Sequence, residues 1–434
     1  MRLIETTGRG ARKATEVLAA LEARGGTSFE GVLPAVRRIV SDVRRGGDRA
    51  LLRYAKKLDG LESADELRIR AEEMAAAWEA CDVGMSAALT TAAEQIRGFA
   101  ELQMPQSWKS TPVAGLTTGQ LVRPLDAVGC YVPSGRHPLP STLLMTVIPA
   151  QVAGVERIVV VSPKPARETL AAAHLLGITE FYRMGGAHAI AALAYGMESI
   201  ARVDKVVGPG NLYVTAAKRE VAFDCAIDML AGPTEIVVTS ELGTAAEITS
   251  DLVAQAEHDP EALAIFITTR DKLADAVIAE TKARAKTNVV AREALKRNGL
   301  VIVAASLDEA HELTNRIAPE HLTVDSADDL AWVRNAGSVF VGRWSAQPMG
   351  DYISGPNHTL PTGGLARVRG GLSVNDFVKL ITVQEYDAKA ICELGPKAVL
   401  LAEAEGLTAH AEAVRVRLKS ARLESVGRGR KRNG

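Results

Sequence analysis

Between residues 120 and 345 the sequence alternates short β-rich runs with helical ones, and this alternation limits the possible folds more than any other feature. DAVGCYV, RIVVVSP, EFYRMG and KVVG read as strands, and STLLMTVIPAQVAGV, RETLAAAHLLG, GAHAIAALAYG and NLYVTAAKREV between them read as helices. A second set follows, with EIVVTS, LAIFITT, LVIVA and GSVFVGR as strands and GTAAEITSDLVAQAEHDP and SLDEAHELTNRIAPEHLTV among the connecting segments. This is the pattern of parallel strands joined by crossover helices that cover both faces of a sheet. Two consecutive sets predict two α/β units. Residues 1–110 are Ala-rich with apolar residues three and four apart, which predicts helices. The tail from 372, NDFVKLITVQEY included, is expected to be helical again.

At 434 residues the chain is long enough for two or more domains. Its formal net charge of −1 gives no reason to expect nucleic acid or an anionic membrane as partner. The C-terminal GRGRKRNG reads as a solvated end. No apolar run approaches the ~18 residues of a membrane span, and MRLIETTGRGARKA lacks the apolar core of a signal peptide. The cysteines, Cys81, Cys130, Cys225 and Cys392, are scattered without a CxxC pair, so neither a thiolate zinc site nor a redox pair is suggested. A reduced, soluble, cytoplasmic protein is the expectation. Cys130 sits at a strand end, yet nothing beside it would lower its pKa, so it reads as packing and not as a nucleophile.

Ligands of open α/β sheets bind at the carboxyl ends of the strands. The loops of interest are therefore GCYVPSGRHPLPST, MGGAHA, VGPGN, LAGPTE, APEH and the stretch GRWSAQPMGDYISGPNHTLPTGG at 342–364. A GxGxxG fingerprint is absent. VGPGNLYV resembles half of one, and serves either as a phosphate-receiving helix start or as an ordinary turn.

The histidines differ in setting. His174 and His311 sit within periodic helices, His137 lies between prolines and is undecided, and His258, His321 and His358 follow element ends. Gln255 and His258, three apart, would share a helix face as two legs of a metal site or as chance polarity; Asp351 would complete the set. Such nitrogen and oxygen ligands suit an exchangeable zinc. Pro319 should end a helix at Ala318, leaving Glu320 and His321 to project differently and serve two proton transfers, or to be an ordinary polar pair. Gly350 and the Gly-Pro before Asn357 look like the turning points that bring Asp351 and His358 to one place.

With VGCYVPSGRHPLPSTLLMTVIPAQVAGV, MGGAHAIAALAYG, VDKVVGPGNLYVTAAKREV, IDMLAGPTEIVV, DLVAQAEHDP, APEHLTV, MGDYISGPNHTLPTGG and GLTAHAEAV in this order, the chain resembles the histidinol dehydrogenases. The resemblance implies an NAD-linked, four-electron oxidation of L-histidinol through L-histidinal to L-histidine, the end of histidine biosynthesis. It implies zinc held by Gln255, His258, Asp351 and His410, the last lent by the partner in a homodimer. Glu320 and His321 would be the acid/base pair. Thr234, His358 and Glu405 would join the zinc residues and His321 in contacting substrate, and Tyr131, His188 and Asn211 would contact NAD.

His188 stands where Gln is usual and Thr234 where Ser is frequent; each keeps a hydrogen-bonding group. LARVRGGLSVNDF also differs from familiar versions, which leaves a paralogue acting on another small alcohol as the alternative; Glu405 and His410 favour the imidazole-bearing substrate. The implied organisation is two Rossmann-like parallel-sheet units with helical N- and C-terminal dimerisation segments. An arm (1–24) would precede a discontinuous first α/β domain (25–124 and 232–375) carrying the zinc and catalytic residues. An NAD-binding α/β domain (125–231) and a C-terminal helical dimerisation segment (376–434) would complete the chain.

Overall fold

In the computed structural model, residues 1–24, 29–134 and 139–430 are described; residues 135–138, and with them His137, lie outside the described residues. The chain forms two compact units, one of residues 1–103 and 125–377, the other of 104–124 and 378–434.

The first unit contains both expected α/β sets. It opens with β1 (Arg2–Glu5), α1 (Ala11–Glu22), α2 (Leu33–Tyr54), β2 (Arg68–Ile69), α3 (Ala71–Glu79) and α4 (Val83–Leu102). After the excursion of β3 (Trp108–Val113) and β4 (Leu116–Pro124) into the second unit come β5 (Ala127–Tyr131), α5 (Pro140–Ala153), β6 (Arg157–Val161), α6 (Arg167–Leu175) and β7 (Glu180–Tyr182). Then follow α7 (Gly186–Tyr195), β8 (Lys205–Val207), α8 (Leu212–Val221) and β9 (Ala226–Ile227). These strands make a six-stranded sheet in the order β2-β7-β6-β5-β8-β9, parallel except for β2.

The second set is β10 (Glu235–Thr239), α9 (Ala245–Ala256), β11 (Leu263–Thr268), α10 (Asp271–Arg284), α11 (Val289–Arg297), β12 (Gly299–Val303), α12 (Leu307–Ile317), β13 (His321–Val324), β14 (Ser338–Val341) and the short α13 (Gln347–Tyr352). Its sheet runs β1-β12-β11-β10-β13-β14, all parallel. Strands such as β5 and β10 are buried along their whole length, because helices cover both faces.

The expected grouping of 25–124 with 232–375 differs from the packing. The apolar face of α2, with Val36, Val43 and Leu51, packs in one core with Val159, Ile190 and Val214 around the 127–227 sheet, and β2 extends that same sheet at β7. An amphipathic helix goes where its stripe finds apolar cover, and here that cover is α7 and α8. The helical reading of 1–110 also misses β1 and β2, which are too short to show periodicity.

In the second unit, β15 (Val378–Tyr386) pairs antiparallel with β4, which pairs with β3, and α14 (Ala388–Ala404) packs on α15 (Thr408–Arg430). NDFVKLITVQEY is thus mostly strand and not helix. Its β-branched residues suit a pleated pairing, and nine residues of register with β4 outweigh its weak helical period. Among the described residues no helix is long and apolar enough to cross a membrane.

Candidate active site

A cavity of about 580 Å³ gathers Thr234, Gln255, His258, Glu320, His321, Asp351, His358 and Asn211. Each side chain arrives from the end of an element. Thr234 immediately precedes β10, and Glu320 immediately precedes β13, of which His321 is the first residue; the two strands are neighbours, with Ile236 beside His321. Helix α12 is stopped by Ala318, a non-glycine residue held at φ 50°, which costs about 1 kcal/mol of strain but turns the chain through Pro319 into β13.

Helix α9 ends at Ala256, so Gln255 is in its last turn and His258 lies just beyond it. The two do not share a helix face as expected, yet both still line the cavity. Asp351 sits on α13. Gly350 is not the turning point it resembled: it lies inside α13, where a Cβ would press on the Phe340 ring at 2.6 Å. The turn is made by Gly355, at φ 101°, which only glycine adopts readily.

The hydrogen bonds orient these groups. Glu320 Oε2 accepts the Thr234 hydroxyl at 2.6 Å and the Glu235 N–H at 2.7 Å. The Gln255 amide nitrogen donates to the Thr234 oxygen, while Gln255 Oε1 is buried without a partner. Nδ1 of His321 lies 3.1 Å from the Glu235 carbonyl, to which it can only donate, and this leaves Nε2 facing Asp351 Oδ1 at 3.7 Å. Nδ1 of His358 likewise donates to the Asp351 carbonyl at 2.9 Å, so Nε2 accepts, with the Thr142 hydroxyl 3.4 Å away.

Burial alone would strip the His321 proton, but the Glu320 carboxylate, helped by Asp351, lifts its pKa to about 10. Burial pushes the Asp351 carboxyl up, and the facing His321 more than reverses this, leaving it below the usual carboxylate range. Burial pushes His358 down, so it is neutral. Such an arrangement places two proton-handling groups, His321 Nε2 and Glu320, at one cavity.

The donors suit a zinc-like cation only in part. Among the described residues no three His, Cys, Asp or Glu side chains of this chain are placed to hold a metal. The unpartnered Gln255 oxygen supplies what a hard or borderline cation would satisfy, beside His258 and Asp351. Cys130 stays out of the chemistry: burial pushes its thiol up to about 12.

Of the residues expected to contact a cofactor, Asn211 caps α8 by accepting Tyr213 and Val214 N–H groups and lines the cavity. Tyr131 and His188 meet instead at the start of α7 and are not among the lining residues. The Tyr131 oxygen accepts the Gly186 N–H at 3.2 Å, and burial pushes its pKa up to about 12. Fully buried His188 bonds Asp59 through Nε2 at 2.7 Å, leaving Nδ1 without a partner. Glu405 and His410 belong to the second unit and are exposed, Glu405 capping the end of α14 and His410 in the first turn of α15.

Several contributors carry no signal in the sequence. Arg24 grips Glu235 with two hydrogen bonds, 2.7 and 2.8 Å, and so steadies the N–H that holds Glu320. Thr142, Asp59 and Gln347 each hold an expected site residue, but as single polar residues in apolar or irregular surroundings they form no motif. Only the spacing of Gln347 four residues before Asp351, within a helix, offered a hint.

Known proteins share this architecture. The family described as Histidinol dehydrogenase matches residues 22–418. A histidinol dehydrogenase of Geobacillus kaustophilus is 47% identical over 416 residues, covering 91% of this chain and 98% of the relative; one of Methanothermobacter thermautotrophicus is 44% identical over 410 residues, covering 91% and 96%. The crystal structure of histidinol dehydrogenase from Elizabethkingia anophelis superposes with a TM-score of 0.91 at 34% identity, covering 97% of this chain and 98% of that one. The chain therefore belongs to the histidinol dehydrogenase family of oxidoreductases.

Proposed function

We propose that the chain oxidises L-histidinol by way of L-histidinal to L-histidine, with two NAD⁺ reduced and one water consumed, in the cytoplasm and as a homodimer. The observation that carries this reading is the convergence of Thr234, Gln255, His258, Glu320, His321 and Asp351 on one cavity. Gln255, His258 and Asp351, with His410 from a second copy, would hold zinc. When bound, zinc supplies an anchor for the imidazole and amine of the substrate, and NAD supplies the hydride acceptor.

The chain's own residues handle the protons. Committing Asp351 to a cation would withdraw one of the two carboxylates that hold the His321 proton and set a positive charge beside the ring, and Nε2 would then accept the proton of the alcohol as hydride leaves the same carbon. Glu320, oriented by Thr234 and Glu235, takes a proton from the water that adds to the aldehyde. His358 offers a neutral acceptor nitrogen, suited to an N–H of the substrate. The Asn211 turn, after β8, is the cofactor side of the cavity, and Tyr131 and His188 steady the adjoining start of α7. In the second unit Glu405 and His410 are exposed beside Leu400, Leu401 and Leu407, an apolar setting that suits contact with another copy.

NADH absorbance with L-histidinol as substrate tests the reading. Two NADH per histidinol are expected, with activity lost to a chelator and restored by zinc. A yield of one, or full activity without metal, would contradict it. Glu320→Gln should slow oxidation of histidinal more than that of histidinol; equal loss would remove Glu320 from the water step.

A further inference from the structure

We propose that Gln347 is the positioning residue for Asp351, turning one carboxylate oxygen away from the cavity so that the other is free for the metal ion. This rests on the metal reading given above. Gln347 is the first residue of α13 and is completely buried. Its Nε2 donates to Asp351 Oδ2 at 2.9 Å, from one helical turn earlier. Oδ1 is then the oxygen left facing His321 Nε2, at 3.7 Å, while the Asp351 carbonyl is held by His358. The carboxylate is thereby offered to the cavity through a single oxygen.

Packing does not explain this side chain. The start of α13 is anchored without it, because the Asp251 carboxyl takes the backbone N–H of Gln347. Its other amide atom, Oε1, is buried with no partner. A side chain present only to fill space would do better as a hydrocarbon than with an orphaned oxygen. The orientation of the amide follows the one bond it makes, to Asp351. A carboxylate here would repel Asp351, and a hydrocarbon would let it rotate. Groups behind a metal ligand characteristically change metal affinity about 10- to 100-fold when lost.

The test is zinc affinity, measured by chelator competition and zinc content per chain, in the full protein and in Gln347→Met and Gln347→Glu, alongside thermal melting of each metal-free form. Gln347→Met should melt like the wild type without metal yet hold zinc about tenfold more weakly. Gln347→Glu should be weaker still at about pH 8. Zinc affinity unchanged in Gln347→Met overturns the proposal and leaves the metal reading standing. A wild-type chain that takes up no zinc overturns both. Should Gln347→Met not fold, Gln347→Glu decides: zinc held as tightly as by the wild type overturns the proposal.

Discussion

The two six-stranded sheets have the same plan and use it in opposite directions. In each, the set begins at an inner strand, β5 or β10, and steps outward through two neighbours. It then returns to the other side for two more strands, and an N-terminal strand closes the outer edge. The sheet of 127–227 meets the cavity with its carboxyl ends: Pro133 follows β5, and Pro209, Gly210 and Asn211 follow β8. The sheet of 235–341 meets it with its amino ends, at Thr234, Glu320 and His321.

The rule that ligands sit at the carboxyl ends where the strand order reverses thus holds for one sheet and fails for the other. The reason is visible at the equivalent place between β10 and β13. There Asp325 Oδ2 accepts the N–H groups of Glu241 and Leu242, at 2.6 and 3.1 Å, and Oδ1 accepts the Ser240 hydroxyl. The chain's own carboxylate occupies part of that crevice, and the cavity left there, about 270 Å³, is less than half of the 580 Å³ at the amino ends. A shared topology offers positions; side chains decide which are open.

The contrast between the two ends of β13 gives the largest expected effect. His321→Asn should lower kcat about 10³-fold with melting near that of the wild type. Asp325→Ala, four residues' rise away, should cost about 2–3 kcal/mol of stability through its stranded N–H groups and leave kcat of the folded enzyme within about twofold. The reverse outcome would break the comparison. On the other sheet, Asn211→Ala should lose about 1 kcal/mol of helix capping and raise the KM for NAD. Asn211→Asp keeps the cap, so a KM that returns to the wild-type value in it would reduce Asn211 to a cap alone.

The effect confined to a pH window concerns Asp251, whose carboxyl burial raises from 3.8 to about 6. A raised acid stabilises the fold when protonated, so this contribution is present at low pH and lost as pH rises through about 6. Asp251→Asn should gain on the wild type by about 3 kcal/mol between those limits, read from melting curves; a difference independent of pH would discard the assignment.

What the sequence made legible follows the same division. Runs such as EIVVT and AVGCY declare buried parallel strands because nothing in them faces water. The exposed edges were harder: VKLITVQEY is mostly solvent-facing and gave no clean alternation. The site residues were recognisable only jointly, since Gln255, Glu320 and Asp351 lie on three separate segments. Direction was not legible at all, because the strand pattern reads alike whether a ligand meets its first residue or its last. Neither was the structural duplication, which is carried by strand order and not by repeated residues.

The ion pair of Arg24 with Glu235 joins positions 211 apart, and β1 waits for β12, which begins at Gly299. Strand β1 is therefore idle until some three hundred more residues have followed it. Contacts so remote in sequence are slow to close. Until β1 and Arg24 return to complete the sheet and neutralise Glu235, the nascent enzyme holds an unfinished edge and an unmatched charge beside the cavity of Glu320 and His321.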